Sequence, residues 1–315
     1  MKKNIALIGC GYWGNNLLRT YNSLGVLSAI YDANEDLAQN KSIEYSVPYR
    51  EIDEIFSDKS IEGIVIAAPA PLHYSIASQA LNNNKHVFVE KPISMELDEA
   101  NDLIDKSQSK KLKLMVGHIM QYHPVFKQLK DLVHSGRIGD INYIYSNRKA
   151  FGKFRTEENV VLSIAPHDVS MILSLVGEFP SSISSFKGSY LQEGIDDFAN
   201  IHLGFTKNIK ASINVSWLNP VKEQKLVVVG SKGMLVLDDT LDWDKKLALF
   251  EHEIHWNASL PLPIKKDIQH IIVPYAEPLK EECTHFINLI NGNVTDVTDG
   301  VEGRDVLAVL KAVNK

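Results

Sequence analysis

Residues 4–18 read NIALIGCGYWGNNLL, a short apolar run that passes through three glycines into an amphipathic helical pattern. Gly9, Gly11 and Gly14 are spaced as G-x-G-x-x-G. Glycines at these positions allow a tight turn, a close backbone approach to a pyrophosphate and close packing of the helix on the strand. The amino terminus of the helix also favours phosphate groups. The stretch therefore predicts a strand, turn and helix that bind a dinucleotide.

The acidic residue at the end of the next apolar run indicates which dinucleotide binds. Asp32 follows LSAIY at close to the spacing expected of an acid that bonds the ribose hydroxyls. Because a carboxylate repels a ribose phosphate and no arginine stands beside Asp32, NAD is predicted rather than NADP. The alternative is that Asp32 caps the following helix.

The alternation of short strands with helices continues to about residue 120 and then stops. This alternation is typical of a parallel sheet covered on both faces, so we predict an α/β Rossmann domain at 1–120. From residue 121, longer alternating stretches indicate hairpins, as at 198–217 and 225–238. Residues 121–315 are predicted to form an α+β domain with a large, mostly antiparallel sheet. Its free apolar face would favour a homodimer or homotetramer, and 260–274 is predicted to be an extended loop.

The composition excludes several classes of protein. The 315 residues carry a formal net charge of -6 without a basic block, which disfavours nucleic-acid and membrane partners. The two cysteines are far apart and no C-x-x-C occurs, which disfavours a disulfide scaffold and a zinc site; no metal is expected. The amino-terminal residues resemble neither a full signal peptide nor a membrane span. A soluble cytoplasmic enzyme or binding protein is the expectation.

A second stretch, HVFVEKPISME at 86–96, ends an apolar strand in Glu90, Lys91 and Pro92. Ligands of open parallel sheets bind outside the carboxyl ends of the strands, so Lys91 is predicted to point into the cofactor crevice. There a lysine can take the proton of a substrate hydroxyl while hydride leaves for the nicotinamide. Pro92 disfavours helical geometry at Lys91 and keeps it extended. The alternative is a solvated Glu-Lys pair.

Six segments in order, GCGYWG, APAPLHYSIA, EKP, VGHIMQYHPVF, GRIGDI and TDGVEGRDVL, resemble the glucose-fructose oxidoreductase, inositol dehydrogenase and rhizopine-catabolism (Gfo/Idh/MocA) family. The resemblance implies that Lys91 is catalytic, that Pro69 and His73 flank the nicotinamide, and that the second domain carries the substrate wall and the oligomer interface. The residues expected at the cofactor are Gly9, Gly11, Tyr12, Trp13, Gly14, Asp32, Pro69, His73, Glu90 and Lys91.

The family's G-x-H-x-x-D element is similar to SIAPHDVSMILSLVG, which places His167 on the motif histidine. His167 is therefore a candidate acid, base or hydroxyl-orienting group, with a satisfied helix-start histidine as the alternative. Two departures put the proton relay in doubt, because Ser163 and Ser170 stand where the family has aspartates. Asp168, beside His167, is not equivalent to either.

Positive charge is concentrated in SNRKAFGKFRTEENVVLSIAPHD, residues 146–168. Arginine and lysine there can hold a diphosphate or carboxylate, although a solvated basic loop is the alternative. The residues expected at the substrate are His118, Arg148, Lys153, Arg155, Asn159, His167 and Asp168.

GYWG together with N-R-x-x-x-G-x-x-R, E-N-V and A-P-H-D resembles the nucleotide-sugar 3-dehydrogenase branch of the family. That resemblance implies oxidation of the C3 hydroxyl of UDP-N-acetylglucosamine or its glucuronic acid form. The 3-keto sugar would pass to a partner aminotransferase that makes 3-amino sugars for surface glycans or lipopolysaccharide. Three alternatives stay open: a dehydrogenase of inositol or another free polyol, an NAD sensor without turnover, and a reductase of linear tetrapyrroles, which would need an apolar wall.

Overall fold

The computed structural model describes residues 4–152 and 154–314 and shows two compact units. The first unit extends through Tyr122 and also includes Glu277–Ala308. The second comprises His123–Ala276 and the residues from Val309 onwards. None of the described helices is both long enough and apolar enough to cross a membrane.

The first unit is built on a sheet of five described strands, all parallel. The strands are β1 (Ile5–Ile8), β2 (Leu27–Tyr31), β3 (Gly63–Ile66), β4 (His86–Glu90) and β5 (Leu114–Gly117), in the order β2-β1-β3-β4-β5. The connecting helices are α1 (Tyr12–Ser23), α2 (Glu35–Tyr45), α3 (Ile52–Ser57), α4 (His73–Asn82) and α5 (Leu97–Ser109). The predicted Rossmann architecture is confirmed, and each strand presents its carboxyl end at the same edge.

The second unit contains three described helices and a sheet of nine described strands. The helices are α6 (Pro124–His134), α7 (Val160–Ile164) and α8 (Pro166–Val176). The strands are β6 (Ile141–Phe151), β7 (Ser182–Gly188), β8 (Phe198–Gly204), β9 (Lys210–Ser216), β10 (Leu218–Gly230), β11 (Gly233–Asp238), β12 (Leu247–Asn257), β13 (Leu260–Lys265) and β14 (Gln269–His270). Their order is β13-β12-β11-β10-β6-β9-β8-β7, and β14 also pairs with β12. Among these pairings only β6 with β9 is parallel, so the predicted mostly antiparallel sheet is confirmed.

The chain closes with α9 (Pro278–Ile290) and α10 (Gly300–Val313). Phe286 of α9 packs on Phe88 of β4, with ring centroids 5.8 Å apart. Gly303 of α10 lies so close to β5 that an added Cβ would be 2.5 Å from a methyl carbon of Val116. The parallel sheet of the first unit is therefore covered in part by residues 277–308, which the sequence pattern assigned to the domain at 121–315. The sequence pattern shows that α9 is amphipathic but not which sheet its apolar side covers.

The two faces of the large sheet differ in polarity. Ile201, Ala211 and Ile213 are buried on the face where α7 and α8 pack. The opposite face carries alternating polar and aromatic residues at intermediate to high exposure, namely Tyr143, Tyr145, Asn147, Asn200, His202, Ser212 and Asn214. On β10, β11 and β12 the same face instead carries Val229, Met234, Val236 and Phe250 at intermediate exposure. The expected apolar surface therefore covers only part of this face, and the homodimer or homotetramer remains a prediction.

The predicted loop at 260–274 is wrong over part of its length, because Leu260–Lys265 forms β13 and Gln269–His270 forms β14. β13 pairs only with β12 among the described strands, so it is an edge strand. Pro261 and Pro263 are tolerated there, since an edge strand has N–H groups that need no partner in the sheet. Because proline is rare within strands, Pro261 and Pro263 made this segment look like a loop in the sequence.

The glycine turn provides a test of the fold. A Cβ at Gly14 would lie 2.0 Å from the carbonyl oxygen of Gly9, whereas a Cβ at Gly11 meets no atom of the described chain within 4 Å. Gly14→Ala should lower the free energy of unfolding by about 1–3 kcal/mol, because backbone atoms cannot move aside as a side chain can. The matched control Gly11→Ala should change it by less than about 1 kcal/mol. Urea unfolding checks both, and equal losses would contradict the proposed packing.

Candidate active site

The glycine turn lies at the carboxyl end of β1. Gly9 has a φ of +100°, and a Cβ there would lie 2.6 Å from the carbonyl carbon of Ala67. Both facts require glycine, because L side chains rarely adopt this φ and the neighbouring atoms are backbone. Gly11 meets no such restriction, so its backbone can be approached by a pyrophosphate at the start of α1. These residues fit a dinucleotide.

Asp32 follows β2 and is held against the same turn. Its Oδ2 accepts a hydrogen bond from the Cys10 N–H at 2.7 Å, and its Oδ1 accepts one from the Asn34 N–H at 2.9 Å. The alternative role as a helix cap is wrong, because Asn34 is the N-cap of α2 and accepts from the Leu37 N–H at 3.0 Å. Asp32 is thus placed beside the glycine turn, as a ribose-binding acid must be.

Cys10 is a buried thiol within the turn. Burial raises its pKa to about 12, with a further contribution from the negative charge of Asp32. A thiol with so high a pKa is a poor nucleophile, so Cys10 is interpreted as a small packing residue of the turn.

Glu90, the last residue of β4, is almost completely buried. Its carboxyl group lies over Gly117 of β5, where an added Cβ would be 2.9 Å from Glu90 Cδ. The Trp13 indole N–H donates to Glu90 Oε1 at 2.5 Å, and the Lys91 N–H donates to Oε2 at 3.3 Å. Trp13 therefore ties the glycine turn to the strand end that carries Lys91, a link that the sequence did not reveal.

Burial disfavours the ionisation of Glu90. Burial raises its pKa to about 7, although the hydrogen bond from Trp13 and the charge of Lys91 act in the opposite direction. Glu282 of α9 is fully buried as well, and burial and repulsion from Glu90 raise its pKa well above the ordinary value. Neither carboxyl oxygen of Glu282 has a hydrogen-bond partner among the described residues. Burial therefore favours the protonated form of both acids.

Lys91 stands immediately after β4, at the edge of the sheet where Gly9 follows β1 and Asp32 follows β2. Its side chain is partly exposed, and the Lys91–Pro92 peptide bond is cis. The parallel strands therefore bring the predicted proton acceptor and the predicted cofactor residues to one edge, as the general rule for open α/β sheets requires. Pro69, which follows β3, is exposed at the same edge.

His73, by contrast, does not have the placement expected of a residue that flanks the nicotinamide. It is 1% exposed, and its two ring nitrogens face backbone carbonyl oxygens of Pro92 at 2.6 Å and Ala68 at 2.8 Å. The expectation of direct cofactor contact is corrected, because the polar atoms of the ring are occupied by the protein's own loops. Tyr12, at 78% exposure, stays accessible on the first turn of α1.

His118 follows β5 and is 2% exposed. Its Nδ1 lies 2.5 Å from Glu302 Oε2, so a residue of α10 fixes the ring. Glu302 was not predicted as part of the site. The available signal was the closing TDGVEGRDVL motif, in which Gly303 allows α10 to pack closely on β5.

In the second unit, the structure places His167 as the second residue of α8 at intermediate exposure. Ser163, on α7, is also partly exposed, whereas Ser170 is completely buried. Ser163 and Ser170, which stand at the family's aspartate positions, carry no carboxylate. His167 thus remains the second candidate for proton transfer, without an acid supplied by either of these two residues.

Asp168 is 1% exposed and is fully engaged within the protein. Its Oδ2 accepts from Arg148 Nε at 2.6 Å, and its Oδ1 accepts from the Ser146 hydroxyl. Direct substrate contact by Asp168 does not agree with this placement. The pair explains instead why Arg148 has a fixed orientation on β6.

The other described basic residues of the segment 146–168, Lys149 and Arg155, also have acidic neighbours. Lys149 Nζ lies 3.3 Å from Glu223, and Arg155 Nε lies 3.5 Å from Glu158. Each described basic residue of this segment therefore has an acidic partner within the chain, so the expected surplus of positive charge is smaller than the sequence indicates. Lys153 lies outside the described residues.

Asn159 acts as a helix cap. Its side-chain oxygen accepts from the Leu162 N–H at 3.1 Å at the start of α7, and its amide donates to Asn314 at 3.0 Å. Within the described chain, no three His, Cys, Asp or Glu residues are arranged to hold a metal ion.

The buried acid beside Lys91 leads to a pH-dependent prediction. An acid whose pKa is raised in the folded protein favours folding below its ordinary pKa of 4.5 and loses that contribution as the pH rises through about 7. Glu90→Gln should therefore gain stability relative to the unchanged protein between pH 4.5 and 7, on the order of 3 kcal/mol in total. Urea unfolding across this pH range measures the gain. The exposed Glu54→Gln is the control, and a pH-independent difference for Glu90→Gln would contradict the assignment.

A second prediction concerns the Arg148–Asp168 pair. Arg148→Met leaves a buried carboxylate without its partner and should lower the free energy of unfolding by about 3–5 kcal/mol. The double variant with Asp168→Asn should recover part of the loss, because the stranded charge is then removed. Arg155→Met, at an exposed position, is the control. Chemical unfolding that shows no loss for Arg148→Met would mean that the pair contributes nothing to folding.

Comparison with known proteins agrees with this geometry. Residues 3–118 match the model of the Gfo/Idh/MocA oxidoreductase family with an NAD-binding Rossmann fold, and residues 126–236 match the model of the Gfo/Idh/MocA C-terminal domain. UDP-N-acetylglucosamine 3-dehydrogenase from Acidithiobacillus ferrooxidans is 24% identical over 96% of this chain and 93% of its own. Its crystal structure superposes with a TM-score of 0.88 at 21% identity, covering 100% of this chain and 97% of that one.

The chain is also similar to two proteins of other names. 2,7-anhydro-N-acetylneuraminate hydratase from Escherichia coli is 24% identical over 75% of this chain and 67% of its own. GenD2 from gentamicin A biosynthesis, solved in complex with NAD, has the same fold with a TM-score of 0.82 at 16% identity, covering 99% of this chain and 93% of that one. The predictions of NAD as cofactor and of a dehydrogenase are confirmed. With its glycine turn, its Glu-Lys-Pro strand end and both family models matched, this chain belongs to the Gfo/Idh/MocA family of NAD-dependent oxidoreductases.

Proposed function

We propose that the protein oxidises the C3 hydroxyl of a UDP-N-acetylhexosamine to the 3-keto sugar with NAD. The observation that carries the proposal is the position of Lys91 at the sheet edge shared with the glycine turn. Support for the substrate comes from the A. ferrooxidans 3-dehydrogenase, which is similar over 96% of the chain. UDP-N-acetylglucosamine and its glucuronic acid form are the two candidate substrates, and the product would feed an aminotransferase.

The cofactor would be held by the backbone of Gly9, Gly11 and Gly14, with Asp32 on the ribose hydroxyls. When bound, NAD supplies the acceptor for the hydride that leaves the sugar's C3 carbon. Lys91 Nζ takes the hydroxyl proton as the C3 carbonyl forms, so one proton and one hydride leave the alcohol.

Glu90 contributes through its charge. With a pKa of about 7, Glu90 is partly neutral near neutral pH. A neutral acid stabilises the neighbouring lysine ammonium less than a carboxylate does, which favours the neutral amine that accepts a proton. We infer that His167 serves as the second proton-transferring or hydroxyl-orienting group of the reaction. His118, Arg148 and Arg155 are weaker candidates for substrate recognition.

A dehydrogenase of a free polyol such as inositol is the second candidate. The observation in its favour is the internal pairing of Arg148, Lys149 and Arg155 with acidic residues, because a paired cation has less charge to offer a diphosphate. A substrate without a diphosphate would not need that charge.

Replacement of Lys91 tests the mechanism. Lys91→Met should lower kcat by about 10²–10⁴-fold, the range of general acid–base contributions, while the dissociation constant for NAD stays nearly unchanged. The exposed Lys59→Met is the matched control and should behave like the unchanged protein. NADH formation and an NAD titration measure the two quantities. Retained turnover in Lys91→Met would overturn the assignment.

A substrate panel separates the two candidate functions. NADH formation is measured with UDP-N-acetylglucosamine, its glucuronic acid form, myo-inositol and glucose, in the presence of a carbonyl trap because alcohol oxidation is uphill. Activity with one nucleotide sugar supports the proposal and identifies the C6 substituent. Activity with inositol alone would replace it by the polyol reaction, and silence with intact NAD binding would favour a sensor.

A further inference from the structure

The side chain of His73 connects two of the strand ends that form the site. It is the first residue of α4 and is 1% exposed. Its Nδ1 lies 2.6 Å from the carbonyl oxygen of Pro92, and its Nε2 lies 2.8 Å from that of Ala68. Ala68 follows β3 and Pro92 follows β4, which are neighbouring parallel strands. The ring therefore connects the loop that follows β3 with the loop that follows β4, and the second of these loops contains Lys91.

We propose that His73 is a positioning residue, which holds the Lys91–Pro92 segment in place through a hydrogen bond from the Nδ1–H of its neutral imidazole to the Pro92 carbonyl. The inference rests on the proposed role of Lys91 as proton acceptor. It differs from the expected contact between His73 and the cofactor, because both ring nitrogens are directed at the protein's own backbone.

Lys91 is then held through both of its neighbours in the chain. On one side, the Glu90 carboxyl is fixed by the Trp13 indole N–H at 2.5 Å. On the other side, the Pro92 carbonyl is fixed by His73. A reacting group has to be held in a narrow geometry, and a displacement of about 1 Å can lower the rate by about 10²-fold. Two anchored neighbours are a direct way to restrict the backbone from which the Lys91 side chain extends.

The proposed role of His73 requires a hydrogen-bond donor as well as a side chain of the right size. Carbonyl oxygens only accept, so each contact needs an N–H on the ring, and a neutral imidazole has one. Burial lowers the pKa of His73, the two carbonyl contacts oppose that effect, and the charge of Lys91 lowers the pKa further. An apolar side chain of similar size would fill the same volume, but it would leave the Pro92 carbonyl without this donor.

Asparagine and glutamine test the two ring-nitrogen contacts of His73 separately. The amide nitrogen of Asn reaches the position of Nδ1, so His73→Asn keeps a donor for Pro92. The amide nitrogen of Gln reaches the position of Nε2, so His73→Gln keeps a donor for Ala68 instead. His73→Leu removes both donors. If the bond to Pro92 positions Lys91, kcat should fall by about 10–100-fold in His73→Gln and His73→Leu, and His73→Asn should restore most of it.

Two further readouts distinguish positioning from general damage. The KM for NAD and the midpoint of urea unfolding should be similar in His73→Asn and His73→Gln, since each keeps one bond. The rate at which trinitrobenzenesulfonate modifies Lys91, followed by peptide mass spectrometry, should rise in His73→Gln and His73→Leu but not in His73→Asn. Lys59 serves as the internal reference in the same digest.

Equal losses of kcat in His73→Asn and His73→Gln, in proportion to their losses of stability, would overturn the inference and leave His73 a structural residue. Unchanged kcat and labelling in all three variants would overturn it as well. Failure of the proposed function gives a different result, because either the unchanged protein would then show no turnover or Lys91→Met would keep its turnover, whatever the His73 variants do.

Discussion

Burial on both faces of a parallel sheet is the constraint on which the first unit depends. Such a sheet has no solvated face, so every strand needs apolar cover above and below. Helices α1, α4 and α5 supply part of that cover, and α9 returns from the end of the chain to complete it through Phe286. The same arrangement aligns the carboxyl ends of the strands at one edge. The candidate site thus follows from the parallel arrangement of strands that the helices on both faces make possible.

Burial also determines the electrostatics beside Lys91. Glu90 is confined between Gly117, Trp13 and the backbone N–H of Lys91, where water cannot solvate a carboxylate. Its pKa rises to about 7 for that reason, and burial with repulsion from Glu90 raises the pKa of Glu282 as well. A charged glutamate favours the ammonium form of a neighbouring lysine, and a partly neutral glutamate favours it less. The Glu90-Lys91-Pro92 segment therefore determines both where Lys91 lies and how much negative charge stands beside it.

The second unit uses its charges differently. Asp168 is buried with Arg148 and Ser146, and Lys149 and Arg155 each have an acidic partner. Much of the positive charge that the sequence displays is used to hold strand β6 and the start of α8. The substrate hypothesis therefore depends more on overall similarity to nucleotide-sugar dehydrogenases than on an excess of basic residues.

The sequence by itself determined the Rossmann order of strands and helices, the glycine turn and the place of Lys91 after β4. These features follow from local patterns, because glycine conformation, apolar periodicity and strand ends are properties of short segments. Only the tertiary structure decided that α9 covers the first sheet, that Trp13 binds Glu90 and that His73 binds Pro92. It also decided that Pro261 and Pro263 lie in an edge strand and that Arg148 is paired with Asp168. Each of these depends on which distant residues become neighbours, and hydrogen bonds and pKa values depend on those neighbours and on their burial.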